Sequence, residues 1–328
     1  MKIIMVGEAA NHRDVLAAKL PTACEFVTLP REAAHSEDHD SVIETDDVLI
    51  TLRFSRPPDR MPTFRLLHVP GAGLDGIALK SLPPSATVCN VFEHEISIAE
   101  YVLLAMLEWE IRLTDMRQRF AAQNWADAYR HRVQHGELHG KTLGLIGMGR
   151  IARAIAQRAK AFGMRTVATD ISGGVLPGLI DEFVPAGELE SLLEQADYLV
   201  IACPLTESTR NMIGAAQLGA MKTSAVLINI SRAQIADQRA LFTALKDREI
   251  AGAVLDVWYR YPTSADDEVA PADYPFHELP NVICTPHSCA WTSSLAARRY
   301  GFIAQNILRL MAGEPLHNVV KAPSVKSV

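Results

Sequence analysis

The sequence predicts an α/β protein built on two parallel-sheet units, and three observations predict it. First, Thr142–Ile146 is an apolar run of strand length that leads directly into Gly147-Met148-Gly149-Arg150-Ile151-Ala152. An apolar face at helical spacing follows, made by Ile151, Ala152, Ile155, Ala156, Ala159 and Phe162. Second, runs of buried-strand type recur after it, at Tyr198–Ala202, Ala225–Asn229, Gly252–Asp256 and Val282–Cys284, with helical segments at Glu188–Gln195 and Asp237–Lys246. Third, a separate set of such runs precedes it, at Lys2–Val6, Val48–Leu52, Leu66–Val69 and Val88–Val91, with a helix at Asp14–Leu20 and proline-rich links at Arg56–Pro62 and Ser81–Ser85.

Taken in order, the first unit opens with the Lys2–Val6 strand. His35–Asp40 (HSEDHD) carries metal-binding residue types, but nothing in the pattern fixes their geometry, so it reads as a solvated loop. Val69-Pro70-Gly71-Ala72-Gly73-Leu74-Asp75-Gly76 follows a strand and is either a simple turn or a set of backbone N–H groups aimed at an anion. Ser97–Ala121 carries an apolar helical stripe (Ile98, Tyr101, Val102, Ala105, Met106, Trp109, Leu113), with Ser97 and Glu100 spaced as a capping box. A helix of that length suits a domain connector or a dimer surface. Asn124–Gly140 has no clear period and reads as an arm or loop. The nucleotide unit is expected over 98–287, with 1–97 and 288–328 forming the other. The last helix, Leu295–Met311, is expected to pack back on the first unit, and Lys321–Val328 to fray.

The glycine turn carries the first functional signal. Gly147 permits a tight turn, Gly149 lets backbone approach a pyrophosphate, and Ala152 allows close helix–strand packing. Phosphate would sit at the helix N-terminus beside Met148, Arg150 and Ile151, where N–H groups and the dipole favour anions. A second strand, Arg165–Ala168, ends at Asp170, at the spacing the motif requires. A carboxylate there can accept the ribose hydroxyls and repels a 2′-phosphate, which favours NAD over NADP.

Composition narrows the partners. The chain has 328 residues, 48% apolar and 21% charged, with a net charge of −6. That balance argues against nucleic acid or an anionic membrane as a bulk partner. No apolar run reaches membrane-spanning length, and Met1–Val6 is too short for a signal sequence. Five cysteines without framework spacing read as reduced thiols, hence a cytoplasmic protein. Cys284-x-x-His287-x-Cys289 lacks the second pair a structural zinc site needs, so no metal is expected. Asp266-Asp267-Glu268 reads as a solvated loop.

Ligands of open parallel sheets bind beyond the carboxyl ends of strands. There stand Cys203-Pro204-Leu205-Thr206, Ser231-Arg232-Ala233, Asp256-Val257-Trp258 and Thr285-Pro286-His287. Alone, Arg232 reads as a surface ion pair and His287 as a buried ring. Together, beside a dinucleotide turn, they suit 2-oxo acid reduction, with the arginine gripping the carboxylate and the histidine moving the proton.

These motifs, in this order and over nearly the whole chain, resemble the D-isomer-specific 2-hydroxyacid dehydrogenase family. Gly71-Ala72-Gly73-Leu74-Asp75 resembles its substrate-carboxylate loop, and Ser97-Ile98-Ala99-Glu100 its hinge-helix start. Cys203-Pro204-Leu205-Thr206 with Thr209, Asn229-Ile230-Ser231-Arg232 with Asp237, Gly252–Trp258 and Thr285-Pro286-His287 complete the set. The resemblance implies two Rossmann-like domains, one flavodoxin-like and one NAD-binding, with a cleft between them, and usually a homodimer built around the long helix. It implies NAD held by the glycine turn, Asp170, Cys203, Pro204, Thr209, Ile230, Ser231 and Asp256, the last at the nicotinamide carboxamide. It also implies a small anionic 2-oxo or 2-hydroxy acid bound by Arg232, Ala72 and Gly73, and His287 as acid/base.

The sequence departs from the family pattern at three places. The family's third catalytic residue, a glutamate before proline, aligns with Tyr261-Pro262, and Thr263–Asp273 is longer than usual. Ala233 and Ala290 replace common glycines. His94 stands where asparagine is frequent and, with Trp291, is expected to shape substrate choice. The missing glutamate keeps two other readings open: a non-catalytic NAD(H)-sensing interaction protein, and a hydride-only oxidase of a small anion like the family's formate dehydrogenases.

Overall fold

The computed structural model describes residues 1–120, 122–171, 176–263 and 267–323. The chain divides into two compact units, Met1–Glu93 together with the chain from Thr292 onward, and His94–Trp291. In order, the elements begin with β1 (Lys2–Val6), α1 (Arg13–Ala17), β2 (Glu25–Leu29), β3 (Val48–Ile50), β4 (Leu66–Val69) and β5 (Thr87–Asn90). The second unit carries α2 (Glu95–Ile111), α3 (Leu113–Arg119), α4 (Trp125–Arg130), β6 (Thr142–Ile146), α5 (Arg150–Ala161), β7 (Arg165–Thr169) and β8 (Glu182–Phe183). It continues through α6 (Leu189–Gln195), β9 (Tyr198–Ile201), α7 (Ala215–Gly219), β10 (Val226–Asn229), α8 (Gln238–Lys246), β11 (Gly252–Leu255) and β12 (Val282–Cys284). The chain then returns to the first unit with α9 (Ser293–Ala312) and β13 (Val319–Lys321).

Among the described residues the first unit is a six-stranded sheet in the order β13-β5-β4-β3-β1-β2, parallel except for β13. Successive residues of β1 point to opposite faces, as strand geometry demands. Ile3 and Met5 pack with Val48, Ile50, Leu66 and the α9 residues Tyr300, Ile303 and Ile307. Ile4 and Val6 pack with Leu49, Leu67, Phe54 and Phe64. Because both faces are covered, the central strands read as unbroken apolar runs. The edge strands β2 and β13 are mostly unburied, and nothing in their composition announced them.

The second unit is a parallel seven-stranded sheet in the order β12-β11-β10-β9-β6-β7-β8. One face carries α2 and α5, with Ile98, Val102 and Met106 packed with Ala152, Ile155 and Ala156 over Leu143, Leu145 and Val200. The other carries α6 and α8, with Leu192, Leu193, Leu241 and Leu245 over Leu199, Leu227 and Leu255. The strand order reverses between β6 and β9, so the carboxyl ends of those two strands flank the crevice where ligands of this sheet type bind.

Two expectations fail in α2. The helix begins at Glu95, not Ser97, and Ser97 lies buried in its first turn, where its hydroxyl donates back to the His94 carbonyl at 3.1 Å. No capping box forms, because a serine already inside the helix bonds a carbonyl three residues back rather than an orphan N–H. Glu100 lies instead 3.9 Å from Arg158 of α5. The single helix expected to Ala121 is also broken: Arg112 adopts a left-handed conformation (φ 55°), which ends α2 before α3 begins at Leu113. Within the expected arm, α4 forms where Trp125 lies tilted against Phe120 and Tyr129. The expected fraying at the C-terminus falls, for 324–328, outside the described residues, as does Asp266 of the acidic loop; Lys321 itself pairs in β13. In the HSEDHD stretch, Asp40 is bound bidentately by the buried Arg56 guanidinium at 2.7 Å. Among the described residues no helix is long and apolar enough to cross a membrane.

Candidate active site

At the end of β6 the chain turns through Gly147, whose φ of 98° excludes a side chain on conformational grounds alone. A Cβ there would also stand 2.8 Å from the Cys203 nitrogen at the end of β9. The turn is pinned from three sides. Gly147 N donates to Thr169 O at 2.8 Å, Met148 N to Asp170 Oδ2 at 2.7 Å, and Arg153 Nε to Met148 O at 2.9 Å. Asp170, just beyond β7, is thus brought onto the glycine turn itself. Gly149 precedes α5 in extended conformation, gives the helix no side-chain cap, and has no atom within 4 Å of where a Cβ would sit. With no acidic residue in the first turn, this helix end is electrostatically suited to a pyrophosphate. The residues fit a dinucleotide.

The loops after β9 and β10 are tied together. Ser231 Oγ donates to the Cys203 carbonyl, Ser231 N to Asn229 Oδ1 at 3.1 Å, and Asn229 Nδ2 to Arg232 O at 3.1 Å. Thr209 closes its own loop, donating to Pro204 O at 2.8 Å and accepting from Thr206 N at 2.7 Å. Ile230 is buried, and the Cys203 thiol is pushed up to about 11 by burial. Arg232 Nη1 donates to the Ser231 carbonyl at 2.8 Å.

His287 lies three residues past β12, with a left-handed backbone (φ 56°), a conformation that costs roughly 1 kcal/mol or more for a residue with a Cβ. Asp256, fully buried at the end of β11, holds that segment. Its Oδ1 accepts from Thr285 Oγ1 at 2.5 Å and Ser288 N at 2.8 Å, and its Oδ2 from Cys289 N at 3.0 Å. Thr285 is braced further by the Tyr101 hydroxyl at 2.7 Å and by Trp258 Nε1, which donates to its carbonyl at 2.9 Å. Tyr261 Oη lies 2.8 Å from His287 Nδ1 and accepts from Trp258 N at 3.0 Å. His287 is exposed as a residue, yet desolvation is the first cause that lowers its pKa; Asp256 pulls the other way and Arg232 adds to the lowering. Arg232 and His287, far apart in sequence, therefore share one electrostatic environment, with Tyr261 in it.

The remaining expected positions are less connected. His94 is buried at the head of α2, and Trp291 is 74% exposed. Ala72 and Gly73 follow β4 in the first unit, where the Ala72 carbonyl accepts from Asn90 Nδ2 at 3.0 Å. Two participants were not singled out from the sequence. Tyr101 reads there as an apolar-face residue, and Thr285 as part of a motif without a role; their contact spans 184 residues and leaves no local signal.

A model of the family described as "D-isomer specific 2-hydroxyacid dehydrogenase, NAD binding domain" matches residues 103–289. A glyoxylate reductase of Korarchaeum cryptofilum is 36% identical over 274 residues, covering 81% of this chain and 78% of that protein. A glycerate dehydrogenase of Methylorubrum extorquens is 42% identical over 189 residues, 57% of this chain and 54% of that protein. Among solved structures, D-lactate dehydrogenase with NAD+ from Lactobacillus jensenii aligns with a TM-score of 0.73 at 29% identity, covering 98% of this chain and 99% of that one.

Proposed function

The chain belongs to the D-isomer-specific 2-hydroxyacid dehydrogenase family, and from that premise we propose that Arg232 and His287 carry an NAD(H)-dependent interconversion of a small 2-oxo acid and its D-2-hydroxy acid. The observation that supports this most is the shared electrostatic environment of the guanidinium and the imidazole at the carboxyl ends of two strands of one sheet. Arg232 grips the substrate carboxylate and draws charge from the adjacent carbonyl. His287 Nε2 gives a proton to the substrate oxygen in reduction and takes it back in oxidation. Bound NAD(H) supplies or accepts the hydride at C2.

For the cofactor we assign the pyrophosphate to the turn Gly147-Met148-Gly149-Arg150-Ile151 and the ribose to Asp170, whose charge selects NAD. Cys203, Pro204, Thr209, Ile230 and Ser231 line the nicotinamide side, with Asp256 as the family's carboxamide contact. Ala72, Gly73, His94 and Trp291 are assigned to substrate on the resemblance alone. The substrate is of glyoxylate or hydroxypyruvate type, or larger, in line with the names of the relatives.

We further assign a homodimer and a cytoplasmic location. The adjoining, exposed rings of Phe120, Trp125 and Tyr129 offer an apolar surface that a second copy would cover, and five unbridged cysteines suit a reducing compartment. Sedimentation of the wild type as a monomer would remove the dimer.

The deciding experiment is NADH consumption over a panel of 2-oxo acids, repeated with His287→Ala. Turnover abolished by the substitution supports the assignment. Tight NADH binding with no turnover on any acid favours the sensing protein instead.

A further inference from the structure

Tyr261 occupies the position where a carboxylate would face His287, and a phenol does what a carboxylate cannot. A carboxylate only accepts, so it holds a proton on Nδ1 in every state of the ring. The Tyr261 oxygen has one proton to give. Of its lone pairs, one is taken by the backbone N–H of Trp258 at 3.0 Å, a group that can only donate. An oxygen already accepting a hydrogen bond is a stronger donor through its own O–H. The acceptor within reach is His287 Nδ1 at 2.8 Å, and the rings, 5.4 Å apart and inclined at 51°, meet through the hydroxyl rather than by stacking. The other charged groups facing the imidazole do not compete for Nδ1. Asp256 has both oxygens engaged by Thr285, Ser288 and Cys289, and Arg232 is a cation that disfavours a second positive charge.

Building on His287 as the proton-transfer residue, we propose that Tyr261 is a positioning residue that donates to Nδ1 of neutral His287 and so fixes the ring proton on Nε2. The uncharged enzyme then presents an N–H, not a lone pair, to the substrate oxygen. A 2-oxo acid, whose carbonyl accepts, binds without prior protonation of the histidine. A 2-hydroxy acid, whose hydroxyl must donate for oxidation, meets the wrong end of the ring until the Tyr261 hydroxyl turns away. Tyr261 is 43% exposed, and turning the O–H away needs only rotation about its own C–O bond. At neutral His287 the arrangement favours binding of the 2-oxo acid over the 2-hydroxy acid.

The test uses oxamate, an unreactive analogue of a 2-oxo acid, titrated into the enzyme–NADH complex from about pH 5.5 to about pH 8.5. In the wild type its affinity is expected to vary by less than about threefold, whereas in Tyr261→Glu it falls about tenfold per pH unit above the histidine's titration. A wild-type affinity that falls equally steeply overturns the proposal. A second readout needs no ligand: side-chain 15N spectra of histidine-labelled protein, with His287→Asn identifying the signal. Neutral His287 is expected to show a bare Nδ1, and Tyr261→Phe a mixture of tautomers. A proton found on Nδ1 in the wild type overturns the proposal. If oxamate fails to bind at every pH and no 2-oxo acid is reduced, the functional assignment falls, and the nitrogen spectra still decide the role of Tyr261.

Discussion

Asp256 and Cys289 are joined by a 3.0 Å hydrogen bond from the cysteine N–H to Oδ2, which closes a fully buried carboxylate over the segment that carries His287. Three of the carboxylate's bonds go to that segment, so the left-handed backbone of His287 is held from Asp256. In Asp256→Asn the amide NH₂ must face either the Cys289 N–H or the Thr285–Ser288 side, donor against donor. We expect kcat to fall about 100-fold through misplacement of His287, a larger loss than the weakening of NADH that follows from the carboxamide contact. Fluorescence titration of NADH beside steady-state kinetics checks this. A loss of NADH affinity at preserved kcat would show that Asp256 serves the carboxamide alone and does not hold the His287 segment.

With His287 as the proposed proton donor, the pH dependence of reduction follows from the same imidazole. Desolvation first, and then Arg232, hold its pKa below the usual histidine value, with Asp256 opposing. Proton delivery needs the protonated ring, so kcat for reduction is full below that pKa and falls about tenfold per unit above it. The fall therefore sets in at lower pH than for an unperturbed histidine, while KM for the 2-oxo acid stays nearly flat. Tyr261→Glu adds a charge that favours the imidazolium and should move the limb upward by about one unit or more. An unmoved limb would mean that the introduced carboxylate does not reach Nδ1.

Both sheets were legible because central parallel strands bury both faces and announce themselves as apolar runs, as Tyr198–Ile201 and Val226–Asn229 do. The glycine turn and the placement of Arg232 and His287 just beyond strand ends were legible for the related reason that the strands of a parallel sheet all end at one edge. Edge strands such as Glu25–Leu29 were not, since half-exposed residues carry no run. Ser97 misled because spacing alone does not say whether a serine stands before a helix or inside its first turn. Tyr261 stood out as a departure from a pattern, but the share of its oxygen taken by Trp258 N–H is a backbone matter that side-chain identities do not encode.

Gly252 of β11 marks a packing constraint. A Cβ there would stand 2.1 Å from the Trp109 ring of α2 and 2.3 Å from the Asn281 carbonyl. The indole could move; the carbonyl belongs to the backbone and accepts from Ala253 N at 3.0 Å. Gly252→Ala should cost about 3 kcal/mol, seen as a lower urea midpoint. Adding Trp109→Ala should restore little of it, because the carbonyl clash persists. Full recovery in the double variant would place the constraint on the indole.

His68 of β4 gives the first unit its own acid sensitivity. The ring is fully buried, edge-on to Phe302 at 6.2 Å, and its Nε2 accepts from Asn306 Nδ2 at 3.0 Å. Asn306 in turn clasps His317, donating to its carbonyl at 3.0 Å and accepting its N–H at 2.8 Å, so a neutral His68 helps hold the chain that leads from α9 to β13. Burial lowers its pKa from 6.5 to about 4. Between those two values the unfolded chain binds a proton that the native state does not, so stability rises with pH across that window. The contribution is fully present above pH 6.5 and lost as pH falls to about 4, a change of about 3 kcal/mol. His68→Gln, which can still accept from Asn306, should lack this dependence. Trp109, Trp125, Trp258 and Trp291 all lie in the other unit, so hydrogen exchange of β4 and α9 amides is the readout. Parallel pH profiles for wild type and variant would show that another group is responsible.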